Sequence, residues 1–515
     1  MSFISKKFLL VLLTLLVFSM ISPVAAGTTW FVDDDSGSDF TTIQDAVNAS
    51  SPGDTIIVRD GTYNENVDVG KSITLKSENG AASTTVVASN PDDHVFEVTA
   101  DYVNISGFTV RGPTLGAGVF LTTVENCNIS NIDATNNNVG IALFSSSDNT
   151  LTGNMMFDNN YTLFVHGFSL PNFINKIDTT NKVDGKPVYY WVDRHDQKIP
   201  DDAGYVGVVN STNITVEDLT LEGNGQGILF AYTSNSKIVN VNVSNNFNGI
   251  DLASSSNNIL TNNNASDNEG GFTLISSSNN TLTGNTASNK RVGIGLAYSS
   301  NNTLMGNTLN SNYQSGIVLY ISSYNTLTGN NAEGNGIGIT LENLSNYNTL
   351  TSNNASGNNH GIWLHSSSDN KLTNNTASSN LFGIYLVERS SDNLIYNNYF
   401  DNTNNAEDDG NNIWNITKTL GTNIIGGPYL GGNYWSDYAG VDNDTDGLGD
   451  TLLPYNSSGN IITGGDYHPL VEVLTPTPTP TIPPDEEIPE FPTIAIPAAM
   501  ILGLVFIMQR RRKNE

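Results

Sequence analysis

The chain of 515 residues is poor in three kinds of residue, and each shortage limits what the protein can be. Its single cysteine, Cys127, excludes an intrachain disulfide framework. It contains 21 Lys and Arg against 51 Asp and Glu, and the formal charge of −30 argues against nucleic acid and anionic lipid as partners. Charged residues make up only 14% of the chain. Such a composition, rich in Gly, Asn, Ser and Thr, resembles a disordered one unless a regular apolar pattern is present.

That pattern is present as a repeat of 22 or 23 residues, clearest between residues 249 and 386. Each copy reads Gly-Ile-x-Leu, a Ser-rich stretch, Asn-x-Leu-Thr-Gly-Asn and an Asn-rich turn. No copy contains ten residues of helical periodicity, which argues against helix-based repeats. A unit this short buries its apolar face only against its neighbours, so the repeat predicts a solenoid. The opening glycines are Gly227, Gly249, Gly271, Gly293, Gly316, Gly338, Gly361 and Gly383.

We therefore predict an all-β fold, a single right-handed parallel β-helix with 22–24 residues per coil. Side chains alternate along a strand, so the Ile and Leu of Gly-Ile-x-Leu should point inward and x outward. Asparagines recur on either side of the central Leu of the second motif. Stacked coils should bring them about 4.8 Å apart in hydrogen-bonded ladders. The two predicted ladders are Asn280, Asn302, Asn325, Asn348, Asn370 and Asn393, and Asn285, Asn307, Asn330, Asn353, Asn375 and Asn398.

The first 110 residues differ from the repeat. Residues 1–26 place two lysines before an apolar run and small residues, which is typical of a secretory signal peptide; an uncleaved anchor is the alternative. Residues 27–110 are predicted to form the N-terminal cap and the first coils, because a solenoid must cover its open end. The stretch Phe40–Val47 predicts a short capping helix with Thr41 or Thr42 as its N-cap.

The rest of the chain divides by composition. Residues 111–425 carry the β-helix repeats, interrupted at 166–207 by a stretch rich in aromatic and charged residues. Residues 426–470 are predicted to form a C-terminal cap, and 471–488 a stiff Thr/Pro linker. Residues 489–515 contain an apolar run followed by a basic tail, which should stay cytoplasmic.

The run Gly185–Val209, the coil Asn213-Ile214-Thr215-Val216 and the Asn-x-Leu-Thr-Gly-Asn repeats resemble NosD-type β-helix proteins. This resemblance covers about Thr28 to Leu470 and implies a pectin-lyase-like fold, shared with carbohydrate-binding proteins and sugar hydrolases. The family takes its name from a periplasmic protein that helps deliver copper to nitrous oxide reductase. The stretch Gly37–Val47 also resembles the opening of pectin-esterase and pectate-lyase type β-helices.

The C-terminal order of linker, Pro489-Glu490-Phe491, apolar run and basic tail resembles the PEF-CTERM sorting signal of archaeal surface proteins. The resemblance implies cleavage by an archaeosortase-like enzyme and attachment to the membrane through a lipid anchor. A plain C-terminal membrane anchor is the alternative. Either way the β-helix is expected outside the cell. Sequons at the repeat turns are consistent with an extracellular location. They would accept N-linked glycan at Asn264, Asn279, Asn301, Asn354 and Asn374.

The strongest local motif is Asp-x-Asp-x-Asp-Gly-x-Gly-Asp near the C-terminus of the repeat region. Alternate carboxylates followed by a glycine suit a calcium loop, and the motif resembles thrombospondin type 3 and dockerin loops. We predict a calcium site formed by Asp442, Asp444, Asp446 and Asp450. A solvated acidic turn is the alternative. Copper is not expected, because no His and Met residues are spaced to converge as copper ligands.

A catalytic carboxylate pair should appear as Asp or Glu at matching positions of neighbouring coils, about 5 to 9.5 Å apart. The outward ladders contain only Asp251 and Glu342, four coils apart, and therefore offer no pair. We predict no catalytic residue in the repeats. If the protein is an enzyme, we expect its active site in the interruption. The candidate residues there are Asp193, Arg194, His195, Asp196, Asp201 and Asp202. A solvated hairpin is the competing interpretation of this stretch.

The same ladders bring Trp363 and Tyr385 onto neighbouring coils, with Tyr320, Glu342 and His365 beside them. Aromatics flanked by polar groups suit a sugar face or a protein partner; a covering loop is the alternative. We predict a secreted cell-surface protein, most consistent with a non-enzymatic glycan-binding protein, adhesin or envelope component. Its partners would be envelope polysaccharide or a surface protein. A polysaccharide lyase, hydrolase or epimerase and a copper-handling accessory protein remain the rival hypotheses.

Overall fold

The computed structural model describes residues 27–35, 37–288 and 291–472. These residues form a right-handed parallel β-helix, which confirms the predicted fold class. The predicted signal peptide and sorting segment, and all but the first two residues of the linker, lie outside the described residues. Within the described residues, no helix has the length and apolar character needed to cross a membrane.

A short helix, Ile43–Ala49, covers the N-terminal end of the solenoid and confirms the predicted capping helix. The Thr42 side chain is its N-cap and accepts a hydrogen bond from the backbone of the first turn. The Glu65 carboxylate accepts two further backbone N–H groups of that turn, at 2.8 and 2.9 Å. At the other end, the Lys71 ammonium donates to three backbone carbonyls at 2.8–3.1 Å. Both ends of this helix are thus satisfied by side chains from the next coils.

Each coil runs through three parallel sheets, which we name I, II and III in the order in which the first coils visit them. In the N-terminal part of the solenoid, sheet I contains Thr29–Val32, Thr55–Val58, Thr74–Ser77, Asn104–Ser106, Asn128–Ser130, Thr150–Thr152 and Lys176–Ile177. Sheet II contains Gly61–Asn64, Thr84–Val87, Thr109–Arg111, Asp133–Thr135, Met155–Phe157 and Lys182–Val183. Sheet III contains Val67–Val69, Phe96–Val98, Ala117–Thr122, Val139–Phe144 and Tyr161–His166.

The C-terminal part repeats this arrangement with longer strands in sheet III, which carries the Gly-Ile-x-Leu motif. Sheet III contains Lys186–Val192, Tyr205–Val209, Gln226–Ala231, Asn248–Ala253, Gly270–Ile275, Val292–Ala297, Ser315–Tyr320, Ile337–Glu342, His360–His365, Phe382–Val387 and Asn404–Asp408. Sheet I contains His195–Lys198, Thr212–Glu217, Lys237–Val239, Ile259–Thr261, Thr281–Thr283, Thr303–Met305, Thr326–Thr328, Thr349–Thr351, Lys371–Thr373 and Leu394–Tyr396. Sheet II contains Thr220–Glu222, Asn242–Ser244, Thr376–Ser378, Tyr399–Asp401 and Tyr434–Trp435, with single bridges between.

The interior is filled by the aliphatic residues of the repeat. Ile250 and Leu252 of one Gly-Ile-x-Leu copy are buried and lie in register with Phe272 and Leu274 of the next. The Leu of the second motif is likewise buried in sheet I, as Leu260 shows. The prediction that the Ile and Leu point inward is therefore confirmed.

Both predicted asparagine ladders form, as the contacts of Asn302 illustrate. Its backbone N–H and its Nδ2 donate to Oδ1 of Asn325 in the next coil, at 2.8 and 3.2 Å. Its own Oδ1 accepts the same two bonds from Asn280, and its Nδ2 also donates to the Ser277 carbonyl. Two further ladders were not predicted. The serine ladder consists of Ser255, Ser277, Ser299, Ser322, Ser345, Ser367 and Ser390. The asparagine ladder has two described parts, Asn246 with Asn268, and Asn312 with Asn335, Asn358 and Asn380.

Left-handed backbone occurs beside the ladders. Asn279 and Asn301 have φ values of 61° and 59°, whereas the ladder residues Asn280 and Asn302 do not have positive φ. In these two coils the exposed asparagine makes the turn and the buried one makes the hydrogen bonds. In the coils that follow, the turn position with positive φ is taken by Tyr324, Tyr347, Asp369 and Asp392.

The opening glycine of the repeat is required by close packing. Gly338 does not have a positive φ, but a Cβ atom there would lie 2.6 Å from the carbonyl oxygen of Gly361 in the next coil. Gly249, Gly293 and Gly316 meet the following coil in the same way, at 2.7–2.8 Å. The repeat keeps glycine where sheets II and III meet, because no side chain fits between the coils there.

The interruption rebuilds the solenoid around a hairpin and a short helix, Leu170–Phe173. Lys182–Val183 of sheet II pairs antiparallel with the first residues of Lys186–Val192, through a turn at Asp184 and Gly185 that has positive φ at both positions. The predicted hairpin is therefore present. Beyond it, the Gly225 N–H donates to the Leu163 carbonyl at 2.9 Å, which carries sheet III across the interruption.

Two buried carboxylates hold the C-terminal end of the core. Asp408 accepts from Nε1 of Trp414 at 3.1 Å, and Asp466 accepts from Nε1 of Trp435 at 2.9 Å. Trp435 also stacks on Phe400 of the last coils, with ring centroids 4.7 Å apart. An antiparallel pair, Thr419–Leu420 with Tyr429–Leu430, and a 3-10 turn, Ser457–Gly459, complete this region.

Candidate functional site

The predicted aromatic patch lies on the outer face of sheet III. Parallel pairing puts Thr340, Trp363, Tyr385 and Glu407 side by side on four consecutive coils. The rings of Trp363 and Tyr385 are 6.0 Å apart in an edge-to-face arrangement. Both side chains are half-buried. The structure thus brings these two residues together as neighbours in one row.

Two further rings, which the sequence analysis did not identify, join this row. His360 stacks against Trp363 and against Phe382, with centroids 5.4 and 5.1 Å apart, and Phe382 contacts Tyr385 at 5.3 Å. Strict alternation from Trp363 would turn His360 inward. The strand instead buries both Gly361 and Ile362 at the corner of the coil, so His360 returns to the outer face. Burial among these rings lowers the pKa of His360, which favours its neutral form.

One donor in this cluster is unsatisfied. Nε1 of Trp363 is shielded from solvent and has no hydrogen-bond partner among the described residues. A buried donor without a partner costs about 1–3 kcal/mol. The hydroxyl of Tyr385 contacts the Glu407 carboxylate, and burial together with the charges of Glu407 and Asp409 raises its pKa.

The polar members of the predicted site form a second row on the same face. Tyr320, Glu342 and His365 are in register on three consecutive coils, and all three are half-buried. Tyr320 packs edge-to-face on Tyr298, 5.8 Å away. A shallow groove of about 280 Å³ adjoins this row and follows sheet III past Gly295, where the outer row has no side chain. All five predicted ligand-binding residues therefore lie on one continuous face.

The predicted calcium loop brings three of its four aspartates together. One carboxylate oxygen from each of Asp442, Asp444 and Asp450 lies within 4.8 Å of the other two. Asp442 accepts backbone N–H groups of Thr445 and Gly447 at 2.7 Å each. Burial and the charges of its acidic neighbours raise the pKa of Asp444, so a cation would relieve this repulsion.

The fourth aspartate of the loop is engaged elsewhere. The Asp446 carboxylate forms an ion pair with Lys418 and accepts the backbone N–H of Leu448 at 2.8 Å. The Lys418 ammonium also lies over the ring of Tyr429, 4.5 Å from its centroid. Asp446 would have to release Lys418 in order to join a metal ion held by the other three aspartates.

The histidines do not provide a copper site in the described part of the chain. The acidic clusters found there as candidates for a metal ion contain aspartate alone. His94 accepts a backbone N–H at Nδ1, His166 stacks on Phe144, and His195 is exposed beside Asp196. Copper needs imidazole or sulfur ligands that converge, and this distribution does not fit that ion.

The interruption exposes the residues that were considered for catalysis. Asp193 and Asp196 accept hydrogen bonds from Asn210 and Asn213 of the next coil. Lys198 forms ion pairs with Asp201 and Glu217 at 3.2 Å each. Asp202 accepts from the Tyr189 hydroxyl at 2.8 Å, and Arg194 is exposed. These contacts lie at the exposed surface, and these residues assemble no acid–base pair around an enclosed space.

Family comparisons match most of the solenoid and the C-terminal segment. The family described as periplasmic copper-binding protein (NosD) matches residues 47–186 and 289–440, and the right-handed beta helix region matches 204–355. Residues 488–512 match the PEF-CTERM archaeal protein sorting domain, which supports the predicted sorting to the cell surface.

A curated relative is a cell surface glycoprotein of Methanothermus fervidus, 36% identical over 128 residues. That match spans 24% of this chain and 20% of the relative. Among solved structures, the A-module of the Azotobacter vinelandii mannuronan C-5 epimerase AlgE6 is 14% identical, with a TM-score of 0.37 over 72% of this chain and 89% of that one. Pectate lyase Pel9A is 15% identical, with a TM-score of 0.25 over 70% and 80%. At these scores neither structure bears on activity. The family match covers more than half of the chain, and this chain belongs to the NosD family.

Proposed function

We propose that this chain is a cell-surface β-helix protein that binds glycan without transforming it. The observation that carries the proposal is the four-ring cluster of His360, Trp363, Phe382 and Tyr385, which forms a partly exposed aromatic surface on the outer face of sheet III. Aromatic rings bind the apolar faces of sugars, while polar groups beside them fix orientation. The rings shield one another, and the second row supplies the polar groups.

The chemistry of this face suits a neutral or basic glycan chain. Glu342 and Glu407 offer carboxylate acceptors, and His365 offers an imidazole, whereas the unsatisfied donor of Trp363 offers an N–H group. Successive coils repeat about every 4.8 Å, so an extended chain lying along the solenoid axis would meet one row after another. The adjoining groove past Gly295 would continue its path.

The surface location rests on the sorting-domain match and on the similarity to a surface glycoprotein. We propose that an archaeosortase-like enzyme processes the C-terminus and that the product is anchored there. The sequon asparagines fit an exported protein, because Asn264, Asn279, Asn301 and Asn374 are exposed at the turns and Asn354 is half-buried. Glycan attached there would leave the buried ladder asparagines untouched.

A glycan array probed with the full chain tests the proposal. The variant Trp363→Ala should bind about fivefold more weakly, because loss of one stacked aromatic costs about 1 kcal/mol. The matched control is Tyr324→Ala, which removes an exposed aromatic that stacks on Tyr347 at the turn after sheet III. Equal loss in both variants would contradict a site on sheet III. Release of reducing ends or unsaturated sugars from a bound polysaccharide would contradict the non-enzymatic role.

We also propose that Asp442, Asp444 and Asp450 bind calcium, with Asp446 as a fourth ligand once it leaves Lys418. The support is the convergence of three carboxylates in a loop held by backbone hydrogen bonds. Calorimetric titration of the full chain should give calcium-dependent heat that Asp444→Ala abolishes. The control Asp92→Ala, an exposed aspartate elsewhere, should retain it. Absence of heat in the wild type, or unchanged heat in Asp444→Ala, would defeat this proposal.

A further inference from the structure

A cavity of about 310 Å³ lies between the interruption and the outer face of sheet III, away from the ring cluster. His166, at the end of the strand Tyr161–His166, forms one wall together with Phe168 and Phe173 of the segment that follows. The strands around Asn248–Ala253 form the other, and Tyr298 closes one side. Its size is at the lower end of the range for small-molecule pockets. Its walls are mainly apolar and aromatic, as they are in such pockets.

Asp251 is the acidic residue in this wall. It occupies the outward position of Gly-Ile-x-Leu, and its Oδ2 accepts from Asn248 Nδ2 at 2.9 Å. Its Oδ1 is shielded from bulk solvent and has no well-formed hydrogen bond among the described residues, although the Thr273 hydroxyl is near enough to favour the ionised carboxyl. None of the described residues that line the cavity is Lys or Arg. The protein therefore provides an acceptor here without providing the charge that would balance it.

We propose that this cavity binds a small organic ammonium ion, with the ammonium paired with the Asp251 carboxylate and the apolar body packing between Phe168, Phe173 and Tyr298. A buried carboxylate without a cationic partner is costly, and an ammonium ligand removes that cost. Aromatic walls attract cations through their π faces. The formal charge of −30 also raises the concentration of cations near the protein surface. A ligand with a neutral hydroxyl group could form a hydrogen bond with the Asp251 carboxylate, but it would gain none of these electrostatic interactions.

The titratable groups around Asp251 set the pH dependence of this binding. Burial raises the pKa of Asp251 to about 7, although hydrogen bonds from Asn248 and Thr273 oppose that rise. Burial lowers the pKa of His166, and it raises that of Tyr205, which lies behind the wall. Tyr298 completes the titratable groups of the lining. An ammonium ligand requires ionised Asp251, so its affinity should rise as the pH increases through 7. Protonation of His166 at low pH would act in the same direction.

Calorimetric titration of the full chain with benzylamine at pH 8 and pH 5.5 tests the proposal. Proton competition at Asp251 should weaken binding about thirtyfold at the lower pH, because only the ionised fraction binds. The uncharged analogue benzyl alcohol should bind at least tenfold more weakly than benzylamine at pH 8. The variant Asp251→Asn keeps the shape of the side chain and should lose both the binding and its pH dependence. Trp363→Ala should bind benzylamine like the wild type, since Trp363 does not line this cavity.

Three results would overturn the proposal: equal affinity for benzylamine and benzyl alcohol, unchanged benzylamine binding in Asp251→Asn, or tighter binding at pH 5.5 than at pH 8. Phe168→Ala guards against a folding artefact, because this ring is 74% exposed and its loss leaves the core intact. That variant should weaken benzylamine binding severalfold without changing its pH dependence. Unchanged affinity there would place the amine outside this cavity and would count equally against the proposal.

Discussion

The turn before sheet I and the outer face of sheet III belong to the same coils and yet behave in opposite ways. At the turn, Asn280, Asn302 and Asn325 occupy one position on successive coils, and each bonds to the next. On the outer face, the row changes from Asp251 through Gly295 to Trp363. A buried amide must satisfy its donors and acceptors, so the turn favours asparagine over these coils. The outer row bears no such constraint, and specific binding can be built there without disturbing the stack.

The largest expected effect comes from breaking a ladder. Asn302→Ala leaves the backbone N–H of Asn280 and the carbonyl of Ser277 without partners in a buried turn. At about 1–3 kcal/mol for each unsatisfied group, we expect about 4 kcal/mol of lost stability. Urea denaturation followed by circular dichroism measures it. The control Asn301→Gly changes the exposed neighbour with φ of 59°, which glycine tolerates, and should shift the midpoint only slightly. Similar losses in both variants would contradict the distinct roles assigned to these two asparagines.

The second prediction compares an inward glycine with an outward one. In Gly338→Ala the new Cβ would lie 2.6 Å from the Gly361 carbonyl oxygen, so the coils must separate. Overpacking of this kind costs about 1–3 kcal/mol. In Gly295→Ala the nearest atom to the new Cβ is 3.8 Å away, on the outer face. The same denaturation assay should therefore show a loss for Gly338→Ala and almost none for Gly295→Ala. Equal stability of the two variants would show that the coil corner is looser than this packing implies.

The third prediction concerns pH and the outer row. The folded-state pKa of Asp251 is raised from 3.8 to about 7, so between these values the native state binds more protons than the unfolded state. Stability supplied by this group is therefore present at low pH and is lost as the pH rises towards 7. From pH 5 to pH 8 we expect a loss of about 2.6 kcal/mol from this residue. Denaturation of the wild type and Asp251→Asn at both values measures it. A pH dependence as steep in Asp251→Asn as in the wild type would contradict this assignment.

The parts of the fold that could be predicted are those in which the residue type and its spacing along the chain determine whether the side chain is buried, exposed or hydrogen-bonded. The alternation of Ile and Leu, the two asparagine ladders and the Thr42 cap are of this kind. Cys127 also takes a ladder position, its N–H donating to Oδ1 of Asn149 at 2.9 Å.

The features that were missed arise from a local departure from strand alternation or from contacts with residues distant in sequence. His360 reaches the outer face because the strand departs from alternation at Gly361. Asp251 becomes enclosed because the interruption folds over it, more than 75 residues earlier in the chain. The spacing of the aspartates predicted four ligands in one loop, but the Asp446 carboxylate forms an ion pair with Lys418 instead. The repeat pattern does not reveal the last two cases, because they depend on segments outside the repeat.

The smallest expected effect on stability concerns substitutions on the exposed surface of the interruption. Lys198 lies in the exposed strand His195–Lys198 and forms ion pairs with Asp201 and Glu217, with side chains 46%, 80% and 38% exposed. Solvent screens pairs of this kind, and they add little to stability. Lys198→Ala should leave the urea midpoint within the error of the wild type, and Lys198→Gln serves as the control that keeps most of the side chain. A clear loss in both variants would mean that this surface stabilises the stack much as a ladder does. In that case the distinction between buried positions that hold the coils together and surface positions that are free to vary would fail at the interruption. Asp193, Asp196 and their hydrogen-bond partners would then also be residues that hold the coils together.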